Sequence, residues 1–342
     1  MPDLLAIDDL ELKLINGLQI DPRASWSLLG SVLGIDPATA ARRWNQLESD
    51  GRAWIAVYPG PASLASLVLA FIEVGCAAGE AHRVAQRLRD EPGVGTIEHI
   101  TGEGDLLLTV VLHDLAALSS YVLTSLGTTP GVQSCRTHVV TSVLTEGSRW
   151  QLRVLDAAQQ ERIQASVPRA AHGTTPLPRP DPEFLTALEL DGRASSTELA
   201  ERTGGSASTM RRRLGTALST GQVTMRCEVA QSLSGWPVSA SLWCRVRPER
   251  LDAIARQLAT LPETRLCCAV TGGRPNMLIS VWLRSVADIN RLQAALAERV
   301  PDLEILDVAL ALSHVKRLGR VLDEEGRATS IVPIGIWPLT AP

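Results

Sequence analysis

Apolar residues recur along the chain at two alternating periods. Leu10, Leu14, Ile15 and Leu18 form one stripe at helical spacing, and Asp21-Pro22-Arg23 ends it. Ser25 is a fitting N-cap for a second, shorter helix with Leu28, Leu29 and Val32 inward, closed by the turn glycine Gly34. Asp36-Pro37 pairs an acidic N-cap with proline at the first helical position, so a third helix is expected from about residue 37 to 49, ending at Asp50-Gly51. A short apolar strand follows, Trp54 to Tyr58, and Pro59-Gly60-Pro61 marks a boundary. Beyond it the period changes. Leu67 to Ile72 reads as a strand, Glu80 to Arg89 as a helix with Ala81, Val84, Ala85 and Leu88 inward, and Val94 to Thr101 and Leu106 to Leu112 as strands. A second helix over 115–126 and a long strand from Val132 to Leu144 complete the order βαββαβ. That is the ferredoxin-like split motif, with both helices on one face of an antiparallel sheet. The other face must be covered by something.

The whole pattern then occurs again. An offset of 170 residues superposes Leu18 on Leu188, Asp21 on Asp191, Arg23-Ala24-Ser25 on Arg193-Ala194-Ser195, Gly34 on Gly204, Gly51 on Gly221 and Thr101-Gly102 on Thr271-Gly272. One extra residue later shifts the offset to 171, which pairs Val110 with Val281 and Pro130 with Pro301. Turn glycines and polar residues match as well as apolar ones, so this is a true internal repeat. The expected fold is α+β: winged helix-turn-helix domains at 1–60 and 181–232 alternate with ferredoxin-like domains at 61–148 and 233–318. Residues 149–180, rich in proline, alanine and threonine towards their end, read as a linker with one short helix over 156–166. Residues 319–342 form a tail, either a hairpin around Glu324-Glu325-Gly326 or a strand lent to a neighbour.

The third helix of each small domain carries the first candidate chemistry. Thr39, Arg42, Arg43 and Gln46 share one helical face, opposite Ala40, Trp44 and Leu47, and Thr209, Arg212, Arg213 and Thr216 repeat that face. Taken singly, either helix is a solvated surface that happens to hold arginine; recurrence inside a helix-turn-helix frame points instead to DNA. The expected DNA-contacting residues are Ala38, Thr39, Arg42, Arg43 and Gln46 in the first copy and Ser208, Thr209, Arg212, Arg213 and Thr216 in the second. Arginine can take guanine O6 and N7 or clamp phosphate, and threonine can meet a thymine methyl. Charge qualifies this. The chain of 342 residues has a net charge of −4, and residues 1–60 hold eight acidic and five basic side chains, so nucleic acid is not bound through bulk positive charge. Each arginine has to matter singly.

The loop Thr101-Gly102-Glu103-Gly104-Asp105 joins two strands of the first sheet unit. Its plain reading is a hairpin turn, which glycine and aspartate favour by themselves. Its functional reading is an effector pocket at Thr101, Gly102, Gly104 and Asp105, with backbone amides receiving a carboxylate and Asp105 facing an ammonium group. The second copy offers Thr271, Gly272, Gly273 and Asn276, without the aspartate, so the two pockets are expected to differ.

Catalytic and metal chemistry are thin. Six histidines are scattered, no metal-ligand cluster, P-loop or nucleophile elbow occurs, and the six cysteines contain no CxxC pair, so no catalytic residue, metal or cofactor is assigned. Trp26, Trp44 and Trp54 read as core of the first small domain. No apolar run is long enough for a membrane span, and Met1 to Asp9 lacks the features of a leader, which places the chain in the cytoplasm.

Three segments together, Asp21 to Gly51 with its Arg42-Arg43, the Thr101-to-Asp105 loop, and Pro130-Gly131-Val132 opening a long strand, resemble the Lrp/AsnC (feast/famine) family of transcription regulators. The resemblance covers nearly the whole chain twice, as in a tandem member. It implies double-stranded DNA as partner, a small effector such as an amino acid bound near the Thr-Gly loops, and a homo-oligomer, dimer or tetramer, built by pairing sheet faces within one chain or between chains. Two reading heads would address half-sites about 10 bp, or a multiple, apart. Their differing faces imply an imperfect palindrome. Siroheme decarboxylases resemble the same module, sometimes as fused pairs, and supply the alternative, an enzyme with a tetrapyrrole pocket. An enzyme has no need of a repeated Thr-x-x-Arg-Arg.

Overall fold

A computed structural model describes residues 7–167 and 181–337. Each copy opens with three helices, Asp9–Ile20, Trp26–Leu33 and Pro37–Ser49 in the first, Pro182–Leu190, Ser196–Thr203 and Ala207–Ser219 in the second. The caps act as the residue types require: Ser25 and Ser195 accept amide hydrogen bonds at the second helix of each trio, and Asp36 and Ser206 do so at the third. Leu14, Leu18, Ala40, Trp44 and Leu47, with Leu188, Met210, Leu214 and Ala217, form one continuous core across both trios. Trp44 and Trp54 are fully buried as expected, whereas Trp26 is half-buried under the Arg193 guanidinium at 4.0 Å.

Strand β1 (Ala53–Pro59) leaves the first head; β2 (Val68–Cys76), β3 (Val94–Ile100), β4 (Leu106–Leu112) and β5 (Val132–Thr145) form the first sheet unit. β6 (Val223–Val229) leaves the second head, and β7 (Val238–Arg245), β8 (Thr264–Thr271), β9 (Met277–Leu283) and β10 (Glu304–Arg317) form the second unit. β11 (Arg320–Leu322) and β12 (Ala328–Ile331) extend the tail as a hairpin around the expected Glu324-Glu325-Gly326 turn. The strand after each head crosses to its counterpart: β1 and β6 make a two-stranded antiparallel ribbon in which Ala56 faces Arg226. These two positions are 170 apart, so a pseudo-two-fold axis passes between them.

The sheet units run β3-β4-β2-β5 and β8-β9-β7-β10, and they are joined at both edges. β5 pairs antiparallel with β8 (Val140 opposite Val270), and β10 pairs with β3 (His314 opposite Glu98), so eight strands close into a ring with no free edge between the copies. Strand alternation decides what faces where. Ala70, Ile72 and Val74 turn outward onto the helix Ala81–Leu88, and Leu242 and Cys244 onto the helices Leu251–Leu258 and Asp288–Arg299. Phe71 and Trp243, one residue out of phase, turn inward with Leu107, Cys268 and Leu278, their rings edge-on at 6.5 Å. The sheet face left bare in each unit is thus covered by the other copy within the same chain.

Part of the expected linker is packed structure. Trp150, Leu152, Leu155 and Ile163 are buried in the core of the heads, and the helix Ala157–Gln164 rests on the first of them. The buried side chain of Gln19 accepts from the Leu152 amide at 2.8 Å, and Asn16 accepts from Val154 and Leu155 at 2.9 and 3.1 Å. The remainder of that segment, 168–180, and the tail end, 338–342, lie outside the described residues. The tail repeats the device on the second head. Glu189, which stands 170 residues after Gln19, accepts from the Ile334 amide at 3.0 Å and from the Trp337 indole at 3.2 Å.

The two anchors differ in charge, and that makes a pH test. Burial lifts the Glu189 carboxyl to about 7, against the hydrogen bonds from Trp337, Gly335 and Ile334. A carboxyl whose folded pKa lies above its unfolded value favours the folded state at low pH. Stability is therefore expected to fall as pH rises from about 4.5 towards 7 and then level off, by something on the order of 1–3 kcal/mol. Glu189→Gln, which copies Gln19, should flatten this part of the curve in urea titrations taken across the range; an unchanged slope would rule the anchor out as its source.

Candidate nucleic-acid interface and effector loops

The third helix of each head presents its predicted face, and the two arginines of each face have separate situations. Ala38, Arg42 and Gln46 are exposed, and Thr39 is half-buried near the helix start. Arg43 reaches back to the N-cap of the first helix, 2.6 Å from Asp8 and 3.7 Å from Glu11. In the second head Arg213 makes the same connection to Asp181, the N-cap of Pro182–Leu190. The second arginine of each pair thus fastens the third helix to the first helix of its own head. Arg42 and Arg212 stay exposed, and among the described residues neither is held by a hydrogen bond or ion pair. Ser208 is exposed and Thr209 and Thr216 half-buried, while Arg211 adds an exposed guanidinium to the second face only. Gln46 donates to Asp50 at 2.7 Å along its own helix.

A second arginine pair, not singled out as a site, locks one head against the other. Arg23 donates to the carbonyls of Gly192 and Ala194, the latter at 2.7 Å, and Arg193 donates to those of Pro22 and Ala24 at 2.6 and 2.9 Å. The residues were visible in the repeat; their reciprocity is visible only in three dimensions.

At the first Thr-Gly loop, Asp105 ties the hairpin to the end of β2 by accepting from the Cys76 amide at 2.7 Å. Asn276 occupies the same place in the second copy and accepts from the Val246 amide at 2.9 Å while donating to the Val246 carbonyl at 2.7 Å. The aspartate and the asparagine therefore share a structural task. Each loop also meets the last strand of the other copy: Thr101 Oγ1 accepts from the Leu310 amide at 2.9 Å, and a side chain on Gly272 would run into the Thr137 carbonyl. Gly102 stands against Asp307, and Gly273 packs on the ring of His138. Beside Gly104 lies a cavity of about 110 Å³ lined by Glu73, Glu103, Ser134 and Arg136, where Arg136 sits 3.1 Å from Glu73 and 2.7 Å from Glu103. The second copy has Trp243 where the first has Glu73, and Asp307 where the first has Arg136, so the charge pattern around the two loops differs.

A buried charge cluster lies elsewhere, under the ribbon. Glu228 of β6 is fully buried and takes Arg226 of the same strand, Arg265 of β8 at 3.0 Å and Arg317 of β10 at 3.9 Å. Arg265 stacks on Trp282 at 3.8 Å and on Trp150 at 4.6 Å. The arginines beside Glu228 hold its carboxyl down at about 2, despite its burial, and burial among like charges lowers Arg265 to about 9. Sequence reasoning misses this cluster: Arg226 and Glu228 stand two apart on one strand, but Arg265 and Arg317 come from the ends of two other strands with no local mark.

The profile of the Lrp/AsnC ligand-binding domain matches residues 69–150 and again 239–321, and that of the AsnC-type helix-turn-helix domain matches residues 7–48. An HTH-type transcriptional regulator of Pyrococcus horikoshii, PH0140, is 27% identical over 139 residues, 40% of this chain and 87% of that protein. The Bkd operon transcriptional regulator of Pseudomonas aeruginosa is 29% identical over 132 residues, 37% of this chain and 85% of that protein. Among solved structures, the siroheme decarboxylase NirDL superposes on 93% of this chain and 96% of its own with a TM-score of 0.56, at 15% identity. At that identity the likeness concerns the fold alone.

Proposed function

The chain belongs to the Lrp/AsnC family, in a tandem form, and we propose on that basis that it is a sequence-specific DNA-binding transcription regulator whose DNA affinity responds to a small effector, an amino acid. The observation that carries the reading is the pair of exposed arginines, Arg42 and Arg212, each on a third helix fastened from behind by Arg43 or Arg213. Two such heads, related by the pseudo-two-fold axis of the ribbon, suit a site with two half-sites, and their different faces suit an imperfect palindrome. One chain supplies the pair of heads and the pair of sheet units, so a homodimer would offer four heads to DNA in the cytoplasm. Effector binding is assigned to Thr101, Gly102, Gly104 and Asp105, where Gly104 lines the cavity with Glu73 and Arg136 and Asp105 holds the loop to the Cys76 amide, and to Thr271, Gly272, Gly273 and Asn276, where Trp243 and Asp307 replace Glu73 and Arg136. Amino acids bind there through their carboxylate and ammonium groups and couple to DNA affinity.

Relatives that carry the name of regulators favour a role other than an enzyme's, and fold likeness to a decarboxylase is silent on chemistry. Selection from a random duplex pool should enrich one two-part site, with the bound fraction changing when an amino acid that raises the melting temperature is added. A pool that stays unenriched at low salt would refute DNA reading, and a siroheme-induced absorbance shift would favour the enzyme.

A further inference from the structure

A cavity of about 180 Å³ lies inside the strand ring, immediately below the ribbon. One part of its wall is apolar: Leu69, Phe71, Leu107, Leu278 and Trp282. The part nearest the heads is built from Arg226, Arg265 and Arg317 with Tyr58 and Glu146. Arg265 and Arg317 are each 5% exposed, so these guanidinium groups are removed from water and face a space of their own.

Hydrogen-bonding capacity decides what that space would accept. Each guanidinium brings five N–H donors and no acceptor. Glu228 is the shared acceptor of all three, Arg317 also donates to Gln231 Oε1 at 2.9 Å and stands 2.6 Å from His314 Nε2, and the other carboxylates of the wall are engaged otherwise: Glu146 takes the Tyr58 and Ser148 hydroxyls, and Glu98 holds His314 at 2.7 Å. Donors therefore exceed acceptors at the polar end, while the deeper wall offers apolar surface. The volume is of the size that holds one aromatic ring, since a buried apolar cavity of about 150 Å³ takes up benzene. A second cleft of about 330 Å³ shares Tyr58, Pro59, Leu64, Leu69, Val143 and Glu146 with this cavity and gives a way in.

The geometry points to a second ligand site, inside the ring, for a small carboxylic acid with an apolar body, its carboxylate on Arg226, Arg265 and Arg317 and its body against Phe71, Leu107 and Trp282. This site is separate from the Thr-Gly loops. It also touches the heads directly, because Arg226 and Glu228 stand on β6 and Tyr58 on β1. A carboxylate there competes with Glu228 for the guanidinium groups, and any shift is passed to the ribbon that joins both reading heads. That last step alone rests on the DNA-binding reading.

Benzoate and phenylacetate serve as probes, with benzamide as the uncharged counterpart, titrated into the full chain without DNA by calorimetry and tryptophan fluorescence. Saturable binding with one site per chain is expected, at least about tenfold weaker for benzamide, which is about 1.4 kcal/mol. Ser280→Leu, which fills the cavity from β9 beside Leu266, and Arg265→Gln, which removes one donor group, should each weaken benzoate by a similar factor. Arg136→Ala, at the loop cavity, should leave benzoate binding unchanged. Equal binding of benzoate and benzamide, insensitivity of a folded Ser280→Leu chain, or no saturable binding of either acid up to millimolar concentration would overturn the site. These readouts contain no DNA, so failure of the regulator reading would appear separately, as an unenriched duplex pool.

Discussion

Replacing Glu228 by glutamine is expected to destabilise the chain by about 3–5 kcal/mol, the typical cost of leaving buried ionic groups without their partner. The substitution keeps shape and removes only the charge that three guanidinium groups share. Glu228 is fully buried, and removing its charge leaves three largely buried guanidinium groups without their shared counter-charge. The pH dependence has a definite sign. A carboxyl held at about 2 in the folded chain, below its unfolded value, contributes stability above about pH 4.5 and loses it as pH falls from there towards 2. Glu228→Gln should therefore remove that residue's share of the acid-side slope as well as lower the plateau, which places it opposite Glu189→Gln, where the slope between 4.5 and 7 flattens. Urea melts at several pH values separate the two. A plateau within about 0.5 kcal/mol of the parent, the range of an ordinary surface substitution, would show that the cluster is not a keystone.

Much of this architecture is legible in the sequence because the chain says it twice. The caps at Ser25, Asp36, Ser195 and Ser206 and the alternating strands produce the same elements at the same offset, and local propensity agrees with tertiary packing in both copies. What the sequence conceals is pairing at a distance. Nothing in β5 or β10 marks the strand of the other copy as its neighbour, so closure of the ring is visible only in three dimensions. The same holds for function. The repeated Arg-Arg is visible, but only the position of Asp8 and Asp181 separates the arginine that braces from the arginine left outward. The segment 150–164 is rich in polar residues and carries only a few apolar anchors, a pattern easily taken for connection rather than packing.

That separation yields the sharpest test of DNA reading. Arg42→Ala combined with Arg212→Ala is expected to weaken specific DNA binding strongly, since each arginine that meets a base or phosphate contributes about 1–3 kcal/mol. The melting temperature should stay nearly unchanged, because neither side chain is tied to the fold. Arg43→Ala combined with Arg213→Ala should behave in the opposite way. Those side chains make partly exposed ion pairs with Asp8 and Asp181, with Arg43 33% exposed, and such pairs contribute about 0.2–1 kcal/mol each to stability. Their removal loosens the mounting of the reading helix, giving a modest drop in affinity accompanied by a lower melting temperature. Salt titration then tells phosphate from base. An arginine that clamps phosphate, once removed, lowers the slope of log affinity against log salt by about one per site, whereas removing an arginine that reads a base keeps the slope and relaxes sequence preference. Equal affinity of the Arg42/Arg212 double variant and the parent on the selected duplex, at any salt concentration, would remove these helices from the interface, and a larger drop for the Arg43/Arg213 variant would reverse the assignment of bracing and reading.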